Sequence, residues 1–243
     1  MDHTNNSCCC GEAEHFSGCL ICGAPITYRA ESSIQTCSIC HKEQLTNAVC
    51  ENGHFICDAC HGYGTYALVI TTLRDSTEKD ALLLLEKIMD LPSVHMHGPE
   101  HHAIVPCVLL TALRNNGEHM DYDAALSEIC KRAKQVPGGT CGYWGVCGAA
   151  AGAGIFMSVM TGSGPLHKDA WPFPQKLVSD ILSRLADVGG PRCCKRTSRI
   201  AIEETVRFYS QFSSVKIPLS SVTCKYCAEN RECIGEDCPY YPL

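Results

Sequence analysis

The sequence predicts a mainly α-helical protein with a small zinc-ribbon-like β module at its N-terminal end and a short Cys-rich metal-binding segment at its C-terminal end. Apolar residues recur at helical spacing through most of positions 66–215, which marks amphipathic helices. C-x2-C pairs crowd positions 19–60, a segment too short to build a core without a metal. Four more cysteines crowd positions 224–238. The expected organisation is a flexible Cys-containing tail over 1–18, a zinc-binding module over 19–65, a helical domain over 66–215 and a Cys-cluster segment over 216–243.

Composition narrows the function. Of 243 residues 20 are cysteine, a level that marks disulfides or metals. The polar start, Met1-Asp2-His3-Thr4-Asn5-Asn6, has no secretory pattern, and no apolar run approaches the ~20 residues that span a bilayer. A cytoplasmic protein with reduced, metal-ready thiols is therefore expected, in an anaerobic or strongly reducing cell. Net charge is −6 without a long basic run, so the expected partner is a protein or a small-molecule substrate, and neither nucleic acid nor membrane.

Along the chain, the tail carries Cys8, Cys9 and Cys10, with Gly11 and His15. Adjacent cysteines do not easily chelate one ion together, so incidental thiols stand beside metal delivery or redox sensing as readings. In the module, Cys19 and Cys22 form one knuckle and Cys37 and Cys40 another, separated by a β-like segment with Ile26, Thr27 and Tyr28. Cys50 with His54, and Cys57 with Cys60, complete eight ligands for two tetrahedral zinc ions. They pair either sequentially or alternately, as in cross-braced modules. Gly53 suits a turn that aims His54 inward, and His41 and His61 are spare candidates.

A first helix is expected to open at Asp75-Ser76-Thr77-Glu78, to run through Ala81, Leu82, Leu83, Leu84, Leu85, Ile88 and Met89, and to end at Leu91-Pro92. The next has Pro99 in its first position and a core face at 101, 104, 105, 108 and 112. Pro106 allows a kink or a 3₁₀ start, and Asn115-Asn116-Gly117 ends the helix. Its entrance, HMHGPEHH at 95–102, suits a divalent metal or an acid/base group, with His97, Glu100 and His101 as the catalytic candidates. A helix over 121–135 turns Ala124, Ala125, Leu126, Ile129 and Ala133 inward.

Cys141 and Cys147 then lie in a Gly-rich loop that runs into a string of tiny residues, 148–154, opening a helix to Met160. Such a helix start favours thiolates or an anionic cluster, and its small residues admit close approach. A further helix follows Pro172-Phe173-Pro174 through Leu177, Val178, Ile181, Leu182 and Leu185. Gly189-Gly190-Pro191 introduces Cys193 and Cys194 ahead of a helix with Ile200, Ala201, Ile202, Val206 and Phe208. The last segment reads C-x2-C-x5-C-x4-C-P at Cys224, Cys227, Cys233 and Cys238. That spacing suits a 4Fe–4S cluster, and zinc accepts the same ligands.

The motifs HGPEHH (97–102) and RCCKR (192–196), with the loop and helix start at 141–154, resemble a family of uncharacterised Cys-rich proteins of anaerobic prokaryotes. The stretches 141–152 and 194–202 are similar to cysteine segments of iron–sulfur-dependent serine dehydratases. That resemblance implies a 4Fe–4S cluster with one open iron, held by Cys141 or Cys147 and Cys193 or Cys194. The C-x2-C-x5-C run at Cys224, Cys227 and Cys233 looks like an auxiliary-cluster motif of some radical enzymes, without the C-x3-C-x2-C radical signature.

Three functions remain open. One is an iron–sulfur enzyme that dehydrates a small hydroxy compound or removes or transfers sulfur. Another is an electron-transfer or accessory protein that docks through its zinc module. The third is a zinc-only interaction or regulatory protein. Whether the loops at 141–147 and 193–194 converge decides between the first two.

Overall fold

The computed structural model describes residues 19–242, apart from the side chains of residues 58, 59 and 61–63. The expected tail with Cys8, Cys9 and Cys10 lies outside the described residues, as does the side chain of the spare candidate His61. The described chain is mainly helical, with one small antiparallel sheet. β1 (Ile26–Thr36) pairs with β2 (Glu43–Cys50), from Ile26 opposite Cys50 to Thr36 opposite Glu43, with an irregularity between Tyr28 and Ser33.

α1 (Asp58–Arg74) leaves the last knuckle and enters the helical bundle. The sequence reading placed no helix here and set a domain boundary within it. Gly64 reconciles the two: its φ of 63° and ψ of −157° break the helical path, a conformation glycine adopts without a Cβ penalty. Leu68 packs with the Cys37 and Cys57 core of the module, whereas Val69 and Leu73 pack in the main core.

α2 (Ala81–Met89) begins later than the expected opening at 75–78. Asp80 is the cap, its Oδ1 accepting from the N–H groups of Leu82 and Leu83 at 2.9 and 3.0 Å. α3 (His101–Asn115) is buried from His101 through Leu113, so the expected single core face becomes a central helix covered on all sides. Pro99 precedes the helix rather than occupying its first position, and Glu100 is the cap residue. α4 (Tyr122–Ala133) is capped by Asp121 and buries Leu126, Ile129 and Ala133, while Ala124 is exposed rather than inward.

A short α5 (Thr140–Tyr143) precedes α6 (Gly148–Thr161); α7 (Pro172–Val188) and α8 (Cys194–Tyr209) complete the bundle. The final stretch folds back on it. Ala81 N donates to Pro218 O at 3.2 Å, Tyr226 Oη to Asp90 Oδ1 at 2.6 Å, and Tyr240 Oη to Glu203 Oε1 at 2.9 Å. A 3₁₀ turn, Gly235–Asp237, precedes Cys238. Among the described residues no helix is long and apolar enough to cross a membrane.

α6 crosses α3 on two glycines one turn apart. A Cβ on Gly148 would lie 2.1 Å from the His102 ring, and one on Gly152 would lie 2.4 Å from His102 O and 2.9 Å from Pro106 Cδ. Pro106 lacks the N–H that would otherwise bond His102 O, so that carbonyl faces the neighbouring helix instead. The expected close approach at 148–154 is thus made to protein backbone.

Replacing Gly152 by Ala is expected to destabilise the fold by about 1–3 kcal/mol, because a backbone carbonyl must move. Gly142→Ala is the control, since nothing lies within 4 Å of its added Cβ. Denaturant midpoints of the two variants check the difference, and equal midpoints would contradict it.

Candidate metal centres and a cysteine-lined cavity

Two groups of side chains could each hold a metal ion: Cys19, Cys22, Cys50 and His54, and Cys37, Cys40, Cys57 and Cys60, with ligand atoms all within 4.8 Å inside each group. The pairing is therefore alternating. Eleven residues of β1, at about 3.3 Å each where extended, separate the first knuckle from the second. The sheet register instead brings Cys50, opposite Ile26, back to Cys22, with Sγ atoms 3.9 Å apart. The chain then turns at Gly53 (φ 82°), and Ser38 N donates to Phe55 O, which delivers Cys57 to Cys40 at 3.7 Å.

Backbone donors point at several of these sulfurs. His54 N donates to Cys50 Sγ at 3.2 Å and Cys57 N to Cys37 Sγ at 3.4 Å. The Ala24 N–H, chiefly, lowers Cys22 to about 6. Burial pushes Cys37 up, yet the N–H groups of Cys57, Cys40 and Ile39 outweigh it and bring it to about 6. Burial raises Cys19 to about 11 and also raises Cys60. His41 stands outside both groups: it is exposed, at φ 58°, with Nε2 4.0 Å from Asp75.

The alternating pairing predicts how metal is lost. Cys22→Ser with Cys50→Ser should lose the same one ion as either single change. Cys22→Ser with Cys57→Ser should lose the ions of both groups. Metal content per chain, by elemental analysis after dialysis, checks it.

The loops at 141–147 and 193–194 do converge. Cys141, Cys147, Cys193 and Cys194 line one cavity of about 420 Å³ together with His101 and His102. Three helices start there: α3 at His101, α6 behind its cap residue Cys147, and α8 behind its cap residue Cys193. Their positive dipole ends border the space, although the first N–H groups of α3 are already taken by the carbonyls of Gly98, Pro99 and Glu100. Leu182, Leu185 and Ala186 of α7 form an apolar wall.

Both histidines are fixed by backbone. His101 Nδ1–H donates to Gly98 O at 3.2 Å and His102 Nδ1–H to Val136 O at 3.1 Å. His101 Nε2 is buried without a hydrogen-bond partner. Burial foremost, with Lys195 nearby, lowers His101 from 6.5 to about 3, so the ring is neutral with a bare Nε2 lone pair. Burial likewise lowers His102. Among the thiols, burial raises Cys194 to about 11, the sulfurs of Cys147, Cys193 and Cys141 adding to it, and burial also raises Cys193.

Cys193 faces a second, smaller hollow as well, of about 10 Å³, lined by Cys224, Cys227, Cys233 and Cys238. Among the described residues, no three of these cysteines, or of those in the larger cavity, gather within the 4.8 Å of the two metal groups. Buried cations lie close by. Lys195, Arg196 and Arg199 are 2%, 3% and 0% exposed, in the first turns of α8, where the helix dipole disfavours positive charge. Arg199 forms a bidentate pair with Glu86 at 2.6 and 2.9 Å, and Lys195 donates to Met89 O and Val94 O. Arg196 Nε and Arg199 Nη1 remain buried without hydrogen-bond partners, and both residues line the small hollow.

Of the three acid/base candidates, only His101 reaches the large cavity. His97 Nε2 lies 3.1 Å from both Asn230 Oδ1 and Glu232 Oε2 and ties down the last segment. Glu100 Oε1 accepts from His95 N at 3.0 Å and faces His95 Nδ1 at 3.1 Å. Sequence reasoning missed the individual role of His102, which the next helical position after His101 makes available. It also missed Cys107 and Cys130, whose sulfurs lie 3.8 Å apart between α3 and α4; as single cysteines in helical segments they carry no spacing signal.

His101 makes stability depend on pH. The unfolded chain takes up a proton near pH 6.5 that the folded chain refuses until about pH 3. This stability is whole above pH 6.5 and is lost as pH falls toward 3. The melting temperature of the wild type should fall more steeply on acidification below pH 6.5 than that of His101→Gln. Parallel melting curves would contradict the neutral ring.

Neither a curated protein nor a solved structure matches the chain. Residues 69–241, the whole bundle after the first turns of α1 together with the folded-back segment and all eight cysteines of the two hollows, match the family of unknown function DUF5714, and the chain belongs to that family.

Proposed function

We propose that the protein is an iron–sulfur enzyme with two structural zinc ions, whose cysteine-lined cavity receives a small hydroxy or sulfur compound and dehydrates it or removes or transfers its sulfur. The observation that carries this reading is the convergence of Cys141, Cys147, Cys193 and Cys194 with the bare Nε2 of His101 where three helices start.

The chemistry of the donor sets is what supports these metals. In the module, one group of three thiolates and an imidazole and one of four thiolates are closed sets of soft and borderline ligands, the pattern of structural zinc. The wider-set cysteines of the larger cavity suit a polynuclear group better than one ion, and the unpaired Nε–H of Arg196, which borders that cavity, suits an anionic one. Cys141, Cys147 and Cys194 would hold a 4Fe–4S cluster in the larger cavity, with Cys193 between it and the C-terminal set. Cys224, Cys227, Cys233 and Cys238 would hold a second cluster, by their spacing. A cluster iron without a protein ligand supplies a Lewis acid.

The chain's own groups do the rest. In a dehydration the substrate gives up a proton and a hydroxide, and His101 Nε2, oriented by Gly98 O, is placed to take the proton once negative charge in the cavity restores the basicity that burial removes. The helix N-termini favour a negatively charged group on the substrate. The α7 wall of Leu182, Leu185 and Ala186 limits water. The expected setting is a reducing cytoplasm, with a small-molecule substrate and no nucleic acid.

A second reading draws on Cys193, which lines both hollows. Two adjacent centres suit an electron-transfer or accessory protein, with the zinc module as its docking piece.

Anoxic purification followed by iron, sulfide and zinc analysis tests both. The enzyme reading expects iron and acid-labile sulfide, zinc in the two metal groups, and iron lost with zinc retained in Cys147→Ala or Cys194→Ala. It also expects the visible spectrum to shift when a small hydroxy acid or thiol is added. Iron with no such shift selects the electron-transfer reading. Zinc at every site and no iron selects a zinc-only interaction protein and ends the iron–sulfur reading.

A further inference from the structure

Cys107 and Cys130 belong to none of these centres. Cys107 is fully buried on α3, and Cys130 is half-buried on α4. Their sulfurs lie 3.8 Å apart, and neither joins a group of metal-binding donors among the described residues. We infer that this pair is a reversible disulfide site that staples α4 to α3 behind the cavity.

The geometry needs little change. A disulfide holds its sulfurs about 2.0 Å apart, so side-chain rotation of the kind that separates rotamers must close the remaining gap. The two thiols differ in the way thiol exchange requires. Cys130 is partly reachable from solvent, and Lys134, one turn along α4, and Arg74 of α1 set positive charge near it. Cys107 is inaccessible and sits directly behind it. The other titratable groups facing the pair are the phenols of Tyr66 and Tyr122.

The reaction balances with a low-molecular-weight disulfide as oxidant. The Cys130 thiolate attacks one of its sulfurs, the S–S bond breaks, and one small thiolate leaves. Cys107 Sγ then attacks the Cys130 sulfur of the mixed disulfide. The second small thiolate leaves and takes the Cys107 proton. Two protein thiols are oxidised by two electrons, and one small disulfide becomes two thiols.

The staple bears on the cavity through α4. Val136, just past the end of that helix, accepts the Nδ1–H of His102, and the chain continues from there to α5 and Cys141. Cross-linking Cys130 to α3 therefore fixes the segment that carries one wall of the cavity. This inference does not depend on the iron–sulfur reading, and neither outcome below decides that reading.

The test treats the metal-loaded chain, as isolated, with oxidised glutathione. The sample is quenched in acid, unfolded, alkylated and mapped by peptide mass spectrometry. The expected result is a peptide pair joined through Cys107 and Cys130, with the loss of two alkylatable thiols and their return on dithiothreitol treatment. In Cys130→Ala, Cys107 should stay alkylatable; in Cys107→Ala, Cys130 should stop at the glutathione adduct. The wild-type map decides even if a variant folds poorly. If Cys107 is fully alkylated after oxidation, or Cys130 is joined to any other cysteine, the inference is overturned.

Discussion

The contact on which the rest of the structure depends is the approach of α6 to α3. It is made without side chains on one partner: Gly148 lies on the His102 ring and Gly152 on the His102 carbonyl. Pro106 leaves that carbonyl without its intrahelical donor. The same histidine is held from the other side by Val136 O, at the end of α4. One residue thus ties three helices at a point, and the ends that meet there enclose the cavity. A bulkier α6 would stand farther from α3 and carry Cys147 away from His101.

The second constraint is charge. Lys195, Arg196 and Arg199 are buried at the positive end of α8. Burial lowers the Lys195 amine from 10.5 to about 8, a sign of how poorly the site solvates a cation. Glu86 answers Arg199, and backbone carbonyls answer Lys195 and part of Arg196. Arg196 Nε and Arg199 Nη1 make no hydrogen bond of their own, although the Cys224 sulfur lies beside the Arg199 guanidinium. Burying unpaired donors of charged groups costs on the order of 1–3 kcal/mol each. Arg196 borders both hollows and Arg199 the smaller one, so the cost of burying these donors falls beside the cysteines.

Much of this was legible in the sequence. The two C-x2-C knuckles, the His54 turn and the helical repeats announced the module and the bundle, because short-range spacing determines both. Long-range pairing was not legible. The alternating ligand sets follow from the register of β1 with β2, which an irregularity between Tyr28 and Ser33 shifts and no local pattern encodes. α1 was hidden because Gly62 and Gly64 break its periodicity just where the knuckle ends. His97 and Glu100 looked like partners of His101, being within one turn of it in sequence. The chain before α3 is not helical, however, and it turns His97 to Asn230 and Glu232 and Glu100 back to His95.

The Cys193–Cys194 doublet shows how such a small sequence feature acquires meaning only in three dimensions. Adjacent side chains at a helix start point in directions about 100° apart. Cys193, the cap residue, accepts from Arg196 N at 3.4 Å and looks toward Cys224 and Cys238. Cys194, the first helical residue, looks toward Cys141 and Cys147. One turn of backbone thereby forms the partition between two sulfur-lined spaces, and Arg196 borders both. Two cysteines one turn apart would share a face and serve a single site. The unspaced pair is what allows α8 to begin at the wall between them.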